Sequence, residues 1–125
     1  MIKFLSPLTI HSTVTIKNNK NRSIYYKPID KEFKELITSN LKKKYFLVYE
    51  KGADDLDLEI IPLKFSIKKN LHIVMYKNTP IEAYDGIFKM SGSRELIMLS
   101  YDTGLGDRNS EGFGLWDIYK GGKNA

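Results

Sequence analysis

Hydrophobic and polar residues alternate along residues 1–17, the first segment of the chain. A period of two is typical of a β-strand that has one apolar face and one polar face. Pro7 is tolerated near the start of such a strand, where a backbone N–H is not needed. Residues 18–22 have the composition of a turn, and residues 23–27 return as a second short strand. The pattern therefore predicts an N-terminal β-hairpin.

After Asp30 the spacing of apolar residues changes from two to three or four, and this spacing predicts an amphipathic helix. The apolar positions are Phe33, Leu36, Ile37, Leu41, Tyr45 and Val48. Asp30 is a suitable N-cap, and the helix is expected to end near Gly52. Residues 42–44 are three lysines in its late turns. Because the helix dipole favours cations there, these lysines need no functional role.

The second part of the chain returns to a period of two. Residues 54–60 predict a strand with Leu56, Leu58 and Ile60 facing inward. Two further strands are predicted over 63–68 and 71–76, separated by a turn at 69–70, and residues 78–80 interrupt the pattern. Residues 84–90 predict another strand, with Gly86 as a bulge or point of close approach.

A second helix is predicted over 94–103, capped by residues 91–93 and ended by Gly104. A last strand is predicted over 113–119. The order of elements is that of an α+β, ferredoxin-like βαββαβ domain: an antiparallel sheet, two helices on one face, and an additional β-hairpin. At 125 residues the chain is assigned to a single domain, 1–125, of which 120–125 is expected to be a disordered tail.

Composition excludes several classes of protein and site. No apolar run reaches the roughly 18 residues that span a bilayer, so no membrane partner is expected. The N-terminus has no apolar signal core, which favours a cytoplasmic location. The absence of cysteine excludes disulfides and thiolate zinc sites. The acidic residues of 54–57 could hold a divalent cation, but the solvated face of a strand is the favoured interpretation, and no metal or other cofactor is predicted.

Positive charge is concentrated in the first part of the chain. The net charge is +5; residues 1–52 contain 11 Lys or Arg against 4 Asp or Glu, whereas residues 53–125 contain 9 against 11. This asymmetry is typical of a protein that binds a polyanion. The alternative is a lysine-rich background composition. Lys17, Lys20, Arg22 and Lys27 near the hairpin tip are candidate contacts to a nucleic-acid backbone, or else they protect an exposed strand edge.

The most unusual stretch is Gly-Leu-Gly-Asp-Arg-Asn-Ser-Glu-Gly-Phe-Gly-Leu, over residues 104–115. Glycine permits positive φ and the close approach of another backbone. The polar centre offers a guanidinium, an amide and a hydroxyl, which suit phosphate and sugar. Neither a Walker loop nor a Gly-x-Gly-x-x-Gly motif fits the spacing. A simpler interpretation is a helix C-cap at Gly104 followed by a loop into the last strand.

This stretch resembles the C-terminal glycine-rich loop of the RAMP superfamily of CRISPR-associated proteins, and most closely the endoribonucleases that process CRISPR precursor RNA. Three other segments match in order: residues 6–8, the Asn-Leu-x-x-Lys-Tyr segment at 40–45, and residues 92–96 leading to Tyr101. The resemblance implies a ferredoxin-like fold and CRISPR repeat RNA as partner. It also implies that the loop contacts RNA through Gly104, Gly106, Arg108, Asn109, Ser110, Gly112 and Gly114.

The resemblance further implies metal-independent cleavage by attack of a ribose 2′-OH on the neighbouring phosphate, which leaves a cyclic phosphate. Members of the family have two ferredoxin-like halves, and the histidine that acts as general base usually lies in the first. This chain matches only the second half. Its two histidines are His11, on the polar face of the first strand, and His72, beside a turn. No catalytic residue is assigned.

Three functional interpretations remain at the level of sequence. The first is the RNA-binding C-terminal half of the processing enzyme, with the N-terminal half, other CRISPR proteins or a second copy of the chain as protein partners. The second is a non-catalytic RNA-binding subunit of a CRISPR effector complex. The third is a ferredoxin-like domain that has no RNA role, which would show no affinity for polyanions.

Overall fold

The computed structural model describes residues 1–17 and 20–120. The strands are β1 (Ile2–Phe4), β2 (His11–Ile16), β3 (Lys20–Tyr25), β4 (Leu58–Leu63), β5 (Leu71–Tyr76), β6 (Thr79–Tyr84), β7 (Ile87–Gly92) and β8 (Trp116–Ile118). The helices are α1 (Lys31–Tyr49), α2 (Ile67–Asn70) and α3 (Arg94–Thr103). Part of the predicted turn at 18–22, and the predicted tail beyond Lys120, lie outside the described residues.

Four strands form the central sheet in the order β4-β7-β1-β8, and each pair of neighbours is antiparallel. Helix α1 follows β1 along the chain, and α3 follows β7. This order of strands and helices is the ferredoxin-like βαββαβ unit, as the sequence predicted. Two antiparallel hairpins are inserted into the unit: β2-β3 precedes α1, and β5-β6 lies between β4 and β7.

The core lies between one face of the sheet and helices α1 and α3. It contains Ile2, Phe4, Leu58, Ile60, Phe88, Trp116, Phe33, Ile37, Leu41, Leu96 and Leu99. Leu58 and Ile60 face inward as their alternation predicts. The other face of the sheet exposes Lys3, Glu59 and Lys89. The strands therefore show the inside–outside alternation of a sheet that is covered on one side only.

Residues 1–17 do not form the single strand that their alternation predicts. Strand β1 ends at Phe4, and the chain crosses out of the sheet before β2 begins at His11. Leu8 and Ile10 are buried in this crossover, so the apolar period continues where the strand does not. Leu8 pairs instead with Tyr84 at the end of β6. The return strand also runs over Lys20–Tyr25 rather than 23–27.

The predicted elements between β4 and β7 are partly wrong. A left-handed residue, Lys64 with φ 52°, follows β4, and the short helix α2 occupies the position of the predicted strand end and turn. Residues 78–80 do not interrupt the sheet: Lys77 and Asn78, with φ 48° and 65°, form a two-residue hairpin turn. The predicted strand at 84–90 is the end of β6 and the start of β7, with Gly86 (φ 122°) in the bend between them.

The two long helices agree closely with their periodicity. Helix α1 begins after Asp30, whose carboxylate accepts a hydrogen bond from the backbone N–H of Lys27, and it ends at the left-handed Glu50, two residues before Gly52. Val48, placed on the apolar face by its spacing, is 55% exposed. Helix α3 has the predicted bounds and ends at Gly104. Within the described ranges, none of the helices has the length and apolar character that crossing a bilayer requires.

Candidate nucleic-acid interface

The glycine loop, residues 104–115, is a packed junction rather than an open turn. Leu105 is fully buried in the main core. Phe113 is buried in a second, smaller cluster with Ile81 and Ala83 of strand β6. The loop therefore joins the ferredoxin-like unit to the β5-β6 hairpin through two apolar anchors. Its polar residues lie between these anchors, so their positions are fixed at both ends.

Three of the four glycines are required by the protein's own packing, two of them by close backbone atoms and one by a side chain. A Cβ atom on Gly106 would lie 2.3 Å from the carbonyl oxygen of Thr9, and one on Gly114 would lie 2.0 Å from that of Leu105. A Cβ on Gly104 would lie 2.7 Å from the Asn109 side-chain nitrogen. Internal packing is thus sufficient to explain these glycines, and RNA approach at them stays a prediction.

Gly112 is different from the other glycines of the loop. It has φ 98°, and nothing lies within 4 Å of the position of an added Cβ. The neighbouring Ser110 is exposed. These two residues therefore form the open part of the loop, and RNA contact by them stays a prediction.

Asn109 was predicted to face phosphate or ribose, but its amide is used inside the loop. Its nitrogen donates hydrogen bonds to the carbonyl oxygens of Leu105, at 3.0 Å, and Phe113, at 2.9 Å. Its oxygen accepts a hydrogen bond from the ammonium of Lys44. Both amide hydrogens are consumed by the backbone, so Asn109 holds the loop closed. RNA contact by Asn109 stays a prediction.

Lys44 of helix α1 is a functional residue that sequence reasoning missed. Besides Asn109, its ammonium donates to the carbonyl oxygens of Gly106, at 2.8 Å, and Gly104, at 3.3 Å. Burial lowers the pKa of Lys44 to about 8, while the Asp107 carboxylate opposes the shift. The Asn-Leu-x-x-Lys-Tyr resemblance at 40–45 was the available signal, but the helix dipole had explained the lysine without a partner.

Asp107 fastens the glycine loop to helix α1 and to strand β2. Its carboxylate accepts a hydrogen bond from the Asn40 amide at 3.1 Å and one from the backbone N–H of His11 at 2.9 Å. The same carboxylate lies 2.6 Å from Nδ1 of the His11 ring. Its own backbone N–H donates to the carbonyl of Thr9 at 2.7 Å. Asp107 therefore positions the base of the β2-β3 hairpin.

Arg108 presents a partly exposed cation on this fixed loop. It has φ 59°, and its guanidinium donates to the Glu111 carboxylate at 3.0 Å, with the side chains 28% and 23% exposed. The hydrogen bond to Glu111 is the main reason that the pKa of Arg108 is raised, and Tyr25 and Asp107 add smaller contributions. Its Nε is buried and has no hydrogen-bond acceptor in the part of the chain that the structure describes. Glu111 thus orients the guanidinium and leaves it incompletely satisfied.

The hairpin cations do not share a face with this cluster. Lys20 lies opposite Ile16 at the tip, and Arg22 lies opposite Val14. Opposed residues share a face and successive residues alternate, so Lys20 and Arg22 project from the opposite face to Tyr25. Lys17 follows β2 at the same tip. All three are exposed. Lys17 and Lys20 lie at the tip, whereas Arg22 lies midway along the hairpin and borders, with Tyr25, a groove between the two hairpins.

A metal site finds no support in the described residues. Within 1–17 and 20–120, no three His, Cys, Asp or Glu side chains converge as ligands for an ion. This includes the acidic residues of 54–57. What the loop presents is one oriented guanidinium, a hydroxyl and an open glycine. That arrangement can bind an anion that carries hydrogen-bond acceptors, such as a phosphodiester.

The chain matches the protein-family model described as CRISPR associated protein Cas6, C-terminal, over residues 1–118. It is 30% identical over 115 residues to the CRISPR-associated endoribonuclease Cas6 of Pyrococcus furiosus, covering 89% of this chain and 39% of the relative. It is 28% identical over 115 residues to CRISPR-associated endoribonuclease Cas6 1 of Methanocaldococcus jannaschii, covering 92% and 43%. The chain therefore spans less than half the length of the relatives that it matches.

Solved structures with a similar fold give the same proportion. One, described as CRISPR associated protein Cas6, superposes with a TM-score of 0.83 at 27% identity, covering 95% of this chain and 48% of the other. Another, described as an RAMP protein binding different RNA substrates, has a TM-score of 0.83 at 23% identity and covers 95% and 48%. At 23% identity, the second structure supports the fold alone.

Proposed function

Since the chain belongs to the Cas6 C-terminal family, we propose that it is the RNA-binding C-terminal domain of an endoribonuclease that cleaves precursor CRISPR RNA in the repeat. The observation that carries this proposal is the position of Arg108. Its guanidinium is oriented by Glu111, and the backbone of the loop that bears it is held by internal hydrogen bonds. A planar guanidinium can donate two parallel hydrogen bonds to two oxygens of one phosphate. A contact of this kind fixes the position of an RNA backbone.

The fixed conformation of the loop favours the contact between Arg108 and RNA. Lys44 and Asn109 hold the loop backbone, and Phe113 anchors its far end in the second apolar cluster. Because these groups are ordered before RNA arrives, binding does not have to order the loop as well. Ser110 and Gly112 lie on the open side, where a hydroxyl and an unobstructed backbone can meet ribose and phosphate. The basic hairpin tip adds longer-range attraction for the polyanion.

The proposed reaction is the metal-independent attack of a ribose 2′-OH on the adjacent phosphorus. The 2′ oxygen forms a bond to phosphorus, the bond to the 5′ oxygen breaks, and a 2′,3′-cyclic phosphate and a 5′-OH result. One group must accept the 2′ proton and another must protonate the 5′ oxygen. We assign these proton transfers to the half of the enzyme that this chain does not span. Its own share is to hold and position the RNA backbone.

The test is binding of a labelled CRISPR repeat RNA in EDTA, measured as a function of salt. Arg108→Ala is expected to weaken binding roughly tenfold and to reduce the slope of log affinity against log salt by about 0.7, the value for one lost phosphate contact in single-stranded RNA. Arg94→Ala is the matched control, because Arg94 is exposed at the start of α3 and its loss changes the net charge equally. Equal effects of the two variants would overturn the assignment.

The alternative of a non-catalytic effector subunit is separated by adding the complementary half of a relative. RNA that is bound by this chain alone, and cleaved only when that half is present, supports the domain of a processing enzyme. Binding that never leads to cleavage supports the subunit. A chain without affinity for RNA would favour the ferredoxin-like domain with no RNA role.

A further inference from the structure

Sequence alone gave His11 no role, but the structure places it at the base of the β2-β3 hairpin beside the glycine loop. We propose that His11 and Tyr25 complete a nucleotide-binding cluster with Arg108, an inference that rests on the proposed function. In this cluster His11 is a proton-linked contact to an RNA phosphate, and Tyr25 is a stacking surface for a base. Neither residue belongs to the glycine motif, and each is brought there by the fold.

The His11 ring lies against Asp107, at a short distance but outside hydrogen-bond geometry at Nδ1. Nδ1 is buried and lies 2.6 Å from the Asp107 carboxylate, whereas the side chain as a whole is 25% exposed. The exposure is therefore carried by the rest of the ring, which includes Nε2. Asp107 is itself fixed by Asn40 and by the His11 backbone. A carboxylate at one ring nitrogen favours a proton there and directs the other nitrogen to a ligand.

Tyr25 lies between His11 and the glycine loop, because it also packs against the second apolar cluster, which contains Phe113. It lies opposite His11 in the hairpin register, with ring centroids 5.7 Å apart and planes inclined by 43°. The same ring borders a groove of about 550 Å³ between the two hairpins, whose lining includes Arg22, Ile73 and Glu82. Aromatic rings at the edge of a cationic site are common stacking surfaces for unpaired RNA bases. A base that stacks on Tyr25 would lie in this groove.

The charges around His11 determine how the contact depends on pH. Asp107 faces Nδ1, and Tyr25 packs on the ring. The other charges of the loop are Arg108, which follows Asp107 and pairs with Glu111, and Lys44, which contacts the Gly106 carbonyl. Imidazole side chains gain a proton between about pH 8 and pH 5. Once protonated, His11 satisfies Asp107 and still has an N–H for phosphate. RNA affinity is therefore expected to rise as the pH falls.

The experiment is fluorescence anisotropy of a labelled single-stranded RNA oligonucleotide with the full chain at about pH 6 and about pH 7.5. Wild type is expected to bind roughly fivefold tighter at the lower pH, with a salt slope steeper by about 0.7. His11→Gln is expected to lose both differences. His72→Gln is the control: His72 lies 2.7 Å from Asp85, which makes a second histidine–carboxylate pair at the start of β5.

Two variants of Tyr25 test the stacking surface. Tyr25→Phe keeps the ring and is expected to keep the affinity, whereas Tyr25→Leu is expected to lose roughly tenfold. Circular dichroism and thermal melting of each variant check that the hairpin is still folded. Retention of affinity by a folded Tyr25→Leu would overturn this part of the proposal.

The outcomes separate this inference from the proposed function. If Arg108→Ala weakens binding but wild type and His11→Gln show the same pH dependence, the RNA-binding function stands and the role of His11 is wrong. If His72→Gln alone abolishes the pH dependence, the proton-linked site lies at the other histidine. If wild type binds no RNA at either pH, both proposals fall together.

Discussion

The ammonium of Lys44 lies 2.8 Å from the carbonyl oxygen of Gly106, although the two residues are 62 positions apart in the chain. Through this contact the late turns of helix α1 hold the glycine loop in its strained, left-handed course. The glycine motif therefore depends on a lysine of a helix, and the position of Arg108 depends on both. Four predictions on stability and pH follow from this arrangement.

Replacing Lys44 with methionine should destabilise the domain, because the carbonyls of Gly104 and Gly106 and the amide oxygen of Asn109 lose their donor. An unsatisfied buried polar group costs about 1–3 kcal/mol, and the loss of unfolding free energy should fall in that range. Urea unfolding measures it. Lys43→Met, at an exposed neighbour, is the control and should change stability little. Equal losses would show that Lys44 has no special partner.

The pH dependence of stability should report the same lysine. The pKa of Lys44 is lowered to about 8 in the folded chain, from 10.5 in the absence of burial. Between these values the unfolded chain binds more protons than the folded chain, so Lys44 makes the unfolding free energy increase with pH. The stability of wild type relative to Lys44→Met should therefore rise from about pH 8 to about pH 10. A difference that stays constant across this window would contradict the lowered pKa.

Gly114→Ala and Gly112→Ala should differ sharply. A Cβ on Gly114 meets the Leu105 carbonyl oxygen at 2.0 Å, whereas one on Gly112 meets nothing within 4 Å. Both positions have positive φ, so Gly112→Ala should cost about 1 kcal/mol through backbone strain alone. Gly114→Ala must also move the backbone, and a loss above about 3 kcal/mol or failure to fold is expected. Thermal melting measures the stability of both variants, and similar losses of stability would refute the packing role of Gly114.

Asn109 and Ser110 should separate loop support from RNA contact. Asn109→Ala removes two donors to backbone carbonyls and one acceptor, and should lower the unfolding free energy by about 2–3 kcal/mol. Ser110 is exposed, so Ser110→Ala should leave thermal melting unchanged. Chemical denaturation of both variants measures the two stabilities. RNA binding is then measured for the variant that stays folded. An Asn109→Ala chain as stable as wild type would refute the role of Asn109 in supporting the loop.

Sequence patterns located the elements whose burial is set by their own periodicity. Helix α3 has its predicted bounds, and α1 begins after the predicted cap. The order of elements was sufficient to predict the ferredoxin-like unit. The resemblance to CRISPR RNA-processing enzymes is confirmed by the family match over residues 1–118. Arg108 was correctly placed in a glycine loop. Its contact with RNA remains a proposal.

The partners of the polar residues were decided only by the tertiary structure. Periodicity states which face of an element is buried, but not what lies against it. Leu8 and Ile10 keep a strand-like period although they are buried in a crossover. Lys44 and Asp107 look like ordinary surface charges until the fold closes on them. Contacts between residues 60 or more positions apart arise when the sheet forms, because only then do helix α1, strand β2 and the loop meet.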